Sequence, residues 1–307
     1  MKLLNVKASV VIATYKREDH LVRTIECVWA QEFDEFELIV VDQSRDHTEA
    51  TDKYLREQTD TRFRYFRVSP PSLPAARNFA LKQARGEIVI FIDDDVELYP
   101  GFIEAHCAGY GDDETVAAVC GRVTAPGEPK STQPLRTTRA GIDRGGLDLE
   151  FDTWITGLRG CNMSFRKSVL EAISGFDTNF QGVAHREESD AAYRLRRLGY
   201  KIAFRHSAAL LHIMAQTGGA VGVRNSARDQ PLFYQNETLF FFKHQPVLLL
   251  PYFWLMQLRY FVFNRSSLVS GKTPQRLRAF VAGFWGGVHA YRRPIPIVAK
   301  ELSTHPC

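Results

Sequence analysis

The chain of 307 residues contains no Cys-x-x-Cys pair, no Gly-x-Gly-x-x-Gly, no Walker-type Gly-x4-Gly-Lys-Ser/Thr loop, no internal repeat and no low-complexity tract. Its five cysteines, Cys27, Cys107, Cys120, Cys161 and Cys307, leave one unpaired however they are matched. That scarcity speaks against a zinc or disulfide framework and for reduced thiols in a cytoplasmic setting. The missing glycine loops exclude the usual dinucleotide and P-loop sites. Any phosphate must therefore be gripped by a cation and by side chains. The opening MKLLNVKASVVIATYKR is too short and too interrupted in its apolar part for a secretory signal. The longest apolar run, residues 247–263, counts 17 positions and is broken by Pro251 and Arg259. It barely reaches the lower end of the roughly 17–25 residues a membrane-spanning helix needs.

Charge is plentiful but uneven. The formal net charge of +4 conceals 34 acids against 30 bases before Lys243 and nine bases against one acid from Lys243 onward. The hydrophobic content of 45% is that of an ordinary globular protein with a sizeable core.

The first half alternates two patterns. Runs at 9–13, 36–41, 63–68 and 87–92 are mostly apolar or β-branched and read as strands, and segments 19–30, 48–58 and 74–84 carry helical spacing. Continuous apolar strands alternating with helices predict an α/β fold, with a mostly parallel central sheet covered on both faces. In such sheets ligands bind beyond the carboxyl ends of the strands. Asp42 ends the second strand, and Asp93-Asp94-Asp95 follow the fourth. A buried strand cannot keep three carboxylates in an apolar core, so it must deliver them to an open rim. A hard divalent cation, Mg²⁺ or Mn²⁺, carrying a diphosphate would offset their repulsion there.

Residues 187–198 read as a helix with an apolar stripe of Ala191, Ala192, Leu195 and Leu198. On a helical wheel Glu188 falls near the centre of that stripe and Glu187 at its edge. Asp190 points away, toward an i,i+4 pair with Arg194. Glu188 is then either a buried anion at a helix start or a carboxylate aimed at a substrate.

The segments SVVIATYKR, FELIVVDQSRD, LPAARNFALKQARGEIVIFIDDDVEL, RGCNMSFRKSVL, GFDTNFQGVAHREESDAAYRLRRLGYKI and LHIMAQTGG, in that order over roughly residues 8–245, resemble family 2 of the inverting glycosyltransferases. The resemblance implies a GT-A-type fold at 1–229, followed by a helical, basic extension at 230–307. It implies transfer of a sugar from a nucleotide-sugar donor, UDP or dTDP, to a glycan or lipid-linked acceptor, as in cell-surface polysaccharide synthesis. Thr14, Arg17, Asp42, Arg77, Asp93 and Asp94 would surround the nucleotide sugar, with Asp42 on the base. Asp95 would ligate the metal directly, joined by Asp93 and His212. Glu188 would be the general base, with Asp190 in reserve, and Trp154 and Asn162 would belong to the acceptor pocket. Plainer roles exist for several of these. Asp42 can cap the following turn, Arg77 can sit in a surface ion pair, and Trp154 can simply pack. His212, before Gln216-Thr217-Gly218-Gly219, can be a hydrogen-bonded core residue.

In the extension, residues 274–291 place Leu277, Phe280, Val281, Phe284, Trp285 and Val288 on one face, with arginines around it. That pattern suits an amphipathic helix on an anionic membrane surface, which would make the protein peripheral at the inner face of the cell membrane. A helical cap on the catalytic unit or a homo-oligomer interface is the alternative. Nucleic acid is not an expected partner, because the residues between the basic ones are mostly aliphatic. Two rival functions remain. A sugar-nucleotide pyrophosphorylase would need a glycine-rich loop where Thr14-Tyr15-Lys16-Arg17 stands. A catalytically silent scaffold would not need Asp93, Asp95, Glu188 and His212 together.

Overall fold

The computed structural model describes residues 6–127, 130–138, 143–215 and 227–302. Strand and helix alternate where the apolar pattern changes period. β1 (Ala8–Thr14) leads to α1 (Glu18–Trp29), β2 (Phe36–Asp42) to α2 (Glu49–Arg56), and β3 (Phe63–Ser69) to α3 (Leu73–Gln83), ahead of β4 (Ile88–Ile92) and β5 (Val96–Leu98). Next come α4 (Phe102–Ala108), β6 (Val116–Thr124), a ribbon of β7 (Arg136–Thr137) and β8 (Asp143–Arg144), and β9 (Thr153–Ile155). β10 (Asn162–Arg166), α5 (Lys167–Ala172), α6 (Glu187–Arg197) and β11 (Lys201–His212) complete the first part. The extension holds α7 (Pro231–His244), α8 (Leu250–Gln257), α9 (Arg265–Val269), α10 (Thr273–Arg292) and β12 (Lys300–Glu301).

One sheet runs in the order β12-β3-β2-β1-β4-β10-β6-β11-β5, with β9 paired to β11. β1 to β4 are parallel, as expected from the alternation of mostly apolar strands with helices. β10 is antiparallel to both β4 and β6, and β6 is parallel to β11. Because side chains alternate along a strand, the same strands feed two cores. Val11, Ile39, Val41, Val89 and Phe91 pack toward α3, α5 and α6. Val10, Ile12, Leu38, Val40 and Ile90 pack toward α1, α2 and α4. Leu21, Ile25 and Val28 supply the buried stripe of α1 at the spacing the sequence shows. Each such side chain, fully buried, contributes about 1.5–3 kcal/mol. The sheet is thereby fixed in register, and its strand ends form a rigid rim.

The extension departs from its sequence pattern. Residues 247–263 are not one α-helix: a 3₁₀ turn precedes α8, which starts at Leu250, and a π-helical turn follows it. No helix among the described residues is long and apolar enough to cross a membrane. In α10 the buried face is Arg276, Ala279, Phe280, Gly283, Phe284 and Gly287, whereas Leu277, Val281 and Trp285 stand exposed. The small residues decide this. A Cβ on Gly283 would lie 2.3 Å from Pro231 O, and one on Gly287 would lie 2.5 Å from Thr238 Cβ. α10 therefore seats its glycine face on α7, with Phe280 and Phe284 buried beside the glycines, while Leu277, Val281 and Trp285 turn outward.

α7 in turn is bound to α6 through buried charge. Glu237 receives Arg186 Nε at 2.7 Å and His185 Nε2 at 2.7 Å. Asp190 meets Arg194 Nε at 2.8 Å, Lys243 Nζ at 2.6 Å and His244 Nε2 at 2.7 Å. The Arg194 pair was legible in the sequence, but Asp190 does not point into solvent. It is fully buried, because α7 covers the polar flank of α6.

Gly287→Ala should lower stability by about 1–3 kcal/mol in denaturant melts, since backbone and Thr238 must move to admit the methyl group. Gly286→Ala, which meets only the flexible end of Gln235, should be tolerated. Burial pushes Asp190 and Glu237 upward, but His244, Arg194 and Lys243, and Arg186 and His185 respectively, hold both below their ordinary 3.8 and 4.5. Because the folded values are the lower ones, the stability these groups contribute is complete above the ordinary values and is lost as pH falls below them. Glu237→Gln should therefore flatten the acid limb of a plot of Tm against pH below about 4.5, the ordinary value of the group removed.

Candidate active site

At the carboxyl ends of β1, β2 and β4 the chain opens a cavity of about 1220 Å³. Register explains the convergence: Thr14 pairs with Asp42, and Ile12 pairs with Ile92, one residue before the triple aspartate. Tyr15, Arg17, Gln43, Arg77, Asp93 and Asp94 line one end, and Glu187, Glu188 and His212 line the wall beyond them.

The three aspartates do different things. Asp94 is buried, accepts a 2.6 Å hydrogen bond from Thr14 Oγ1 and lies 2.8 Å from Arg17 Nη1. Burial nevertheless raises its carboxyl to about 6. Asp95 is wholly buried and accepts from the Ala215 N–H at 2.9 Å. Burial alone would raise it as well, but His212, Arg17 and that N–H hold it below the carboxylate range. Asp93 is the most open of the three and stands 3.4 Å from Arg77 Nη2. Thr14 supports Asp94 from behind and does not itself reach the cavity wall.

Asp93, Asp95 and His212 each offer a ligand atom within 4.8 Å of the others. His212 Nε2 is 3.3 Å from Asp95 Oδ1, and both atoms are buried without an aligned hydrogen-bond partner. Buried polar atoms are rarely left unpaired. Two of them facing one another, backed by a second carboxylate, fit a divalent cation. The Gln216–Gly219 turn beside His212 lies outside the described residues.

Arg77 corrects one reading. It is not at a surface but 2% exposed, ion-paired with Glu187 and donating to Gly160 O at 2.9 Å. Glu187 is accordingly the inward acid of α6, not an edge residue. Glu188, placed by the helical wheel at the centre of the buried stripe, is half-buried on the cavity wall. It makes no hydrogen bond or ion pair among the described residues. The wheel failed because the first turn of α6 overhangs the end of the sheet, where the inward direction is the cavity. Asp190, the reserve candidate, faces α7 and is saturated there.

Three further expectations meet a different geometry. Asp42 lies behind the cavity wall, with its carboxylate shared by the Ser44 N–H at 2.7 Å, Tyr65 OH at 2.6 Å and His47. The neighbouring Gln43 faces the cavity in its place. Asn162 is fully buried and committed to His106 Nε2 and to the carbonyls of Arg122 and Ala208. Trp154 is exposed on the edge strand β9, with Lys201 Nζ 5.4 Å from its ring. Neither Asn162 nor Trp154 lines the cavity; Arg159, Gly160 and Cys161, just ahead of Asn162, do. Arg228 and Arg276 from the extension also line it. Nothing in their local sequence announces that they do.

Comparison with known proteins agrees with this geometry. The glucosyl-dolichyl phosphate glucuronosyltransferase of Haloferax volcanii is 25% identical over 217 residues, covering 67% of this chain and 69% of that protein. Other curated relatives are matched over 13% to 36% of their own length. Among solved structures, residues 1–349 of Staphylococcus aureus TarS in complex with UDP-GlcNAc superpose with a TM-score of 0.63 at 19% identity, over 93% of this chain and 84% of that one. The mannosyltransferase PcManGT of Pyrobaculum calidifontis, in complex with GDP-Man and Mn²⁺, gives 0.55 at 20% identity, over 92% and 76%. These two likenesses establish the GT-A fold. The family model described as glycosyl transferase family 2 matches residues 9–174, more than half of the sequence, and the chain belongs to that family.

Proposed function

We propose that this protein is a metal-dependent inverting glycosyltransferase that moves a sugar from a uridine or thymidine diphosphate sugar to a hydroxyl of a glycan or lipid-linked acceptor. One observation carries the reading. A single cavity joins the Asp93–Asp95–His212 cluster to Glu188, a carboxylate with no hydrogen-bond or ion-pair partner among the described residues. Relatives named as sugar transferases, among them the Haloferax enzyme and a Campylobacter jejuni β-1,3-glucosyltransferase 36% identical over 98 residues, support it.

The nucleotide would lie over Tyr15, Arg17 and Gln43, with Asp42 holding this strand end in shape through Ser44 and Tyr65. Asp95, Asp93 and His212 would hold the cation. Carboxylate oxygens suit Mg²⁺ or Mn²⁺, and the imidazole tilts the set toward the transition metal. When bound, that ion supplies neutralisation of the charge that builds on a departing diphosphate. Glu188 takes the proton from the acceptor hydroxyl, whose oxygen then bonds to the anomeric carbon as the bond from that carbon to the diphosphate oxygen breaks. The electron pair leaves with the nucleoside diphosphate, and one displacement inverts the carbon. Arg77, locked by Glu187 and Gly160 O, keeps Asp93 and the start of α6 at a fixed separation. Such fixation of donor against acceptor is itself a large part of catalysis.

A panel of nucleotide sugars with Mg²⁺ or Mn²⁺, read by thermal shift and by transfer, tests the reading directly. Stabilisation by no uridine or thymidine sugar would count against it. Glu188→Gln should bind donor as the parent does and lose about 10²–10⁴-fold in transfer, the usual contribution of a general base. Full activity in that variant would remove Glu188 from the mechanism. Asp95→Ala should abolish metal-dependent donor binding, measured by calorimetry with and without chelator.

A further inference from the structure

Exposed apolar side chains scattered singly need no explanation, but a contiguous set of them does. In the extension Leu248, Tyr252 and Leu255 stand exposed at steps of four and three, and Leu277, Val281 and Trp285 at steps of four along α10. Leu248 is 88%, Leu255 58% and Trp285 65% exposed. Trp254 joins the two rows, its ring 5.0 Å from that of Phe284, which lies 5.5 Å from Trp285. This is the face of α10 away from the glycines that seat it on α7.

Charge selects the occupant. Lys243 is consumed by Asp177 and Asp190, and Lys272 and Arg276 are consumed by Asp229. Arg259, Arg265, Arg278, Arg292 and Arg293 are exposed and have no acidic partner among the described residues. From Lys243 onward the only acid is Glu301. A second copy docking on this face would bring like charges together, which is unfavourable. An apolar surface ringed by unpaired guanidinium groups is complementary to acyl chains beneath anionic headgroups.

We propose that the outer face of α8 and α10 docks on an anionic lipid bilayer, with Leu248, Leu255 and Trp285 entering the boundary between headgroups and acyl chains. The protein lies on the bilayer through these helices. The cavity wall includes Arg276 of α10, and Leu232 and Phe233 of α7 on which α10 is seated, so one of the docked helices also borders the site. Delivery of a lipid-borne acceptor to that border rests on the proposed function; the docking itself does not.

Flotation of the full chain with phosphatidylcholine vesicles, and with vesicles containing 30% phosphatidylglycerol, tests this without any substrate. Binding is expected to the anionic vesicles only, weakening as salt is raised. Each arginine changed to glutamine among Arg259, Arg278 and Arg292 should lower partitioning by about fivefold. Combined Leu248→Asp, Leu255→Asp and Trp285→Asp should lower it at least tenfold, with donor-induced thermal shift unchanged as the check on folding. Should that triple variant not fold, quenching of the parent's tryptophan emission by brominated lipid, and its loss in Trp285→Phe, gives the same answer. Absence of vesicle binding, binding indifferent to these substitutions, or a dimer in sedimentation that the triple variant dissolves would each overturn the proposal. Loss of vesicle binding with donor binding intact would leave the enzymatic reading standing.

Discussion

Two guanidinium groups hold the site together. Arg17 stands between Asp94 and Asp95, and Arg77 stands between Asp93 and Glu187. Without them, four buried or half-buried carboxylates at one sheet edge would repel one another in a medium that screens poorly. With them, the acids are partnered and fixed in direction, and Asp93 and Asp95 stand close enough to His212 to accept a cation with it. The position of Glu188 follows from the same bracket, because the Arg77–Glu187 pair anchors the turn of α6 from which Glu188 projects.

Backbone conformation around the cavity points the same way. Lys16, Ala184, Arg186 and Met214 all adopt left-handed φ values, at 56°, 50°, 81° and 61°. Side-chain-bearing residues seldom do so without compensation. Tyr15, Arg17, Ala184 and Met214 line the cavity, and Arg186 precedes the two glutamates. The strained positions thus coincide with the segments that aim functional groups, and the ion pairs of Arg186 with Glu237 and Asp143 help to hold one of them.

What was legible in the sequence is what one packing partner decides. The parallel strands and Asp93–Asp95 could be read because a run such as Ile88–Ile92 is apolar on both faces and must end at water. His212 was joined to Asp93 and Asp95 by family resemblance alone, and the structure brings the three together because β11, which His212 closes, pairs with Val96 beside Asp95. The orientation of α6 was misjudged because it packs on two partners, the sheet and α7, and a helical wheel accounts for one. The same limit applies to α10. Its six large apolar residues read as one face, yet Gly283 and Gly287 permit so close an approach to α7 that Phe280 and Phe284 are buried with them and Leu277, Val281 and Trp285 are left exposed. Asn162 and Trp154 were assigned by family position alone, and their strands turn them elsewhere.

The ion pairs between α6 and α7 have a consequence for how this chain can vary. Asp190 and Arg186, on or next to the helix that carries Glu188, take their counter-charges from Lys243, His244 and Glu237. Removing the helices after Gln230 would leave Asp190 with Arg194 alone and Arg186 with Asp143 alone, beside the reacting groups. The C-terminal part is therefore not a detachable module appended to a finished catalyst. It and the helix of the candidate base form one electrostatic unit, so a change on its inner surface is felt at the chemistry.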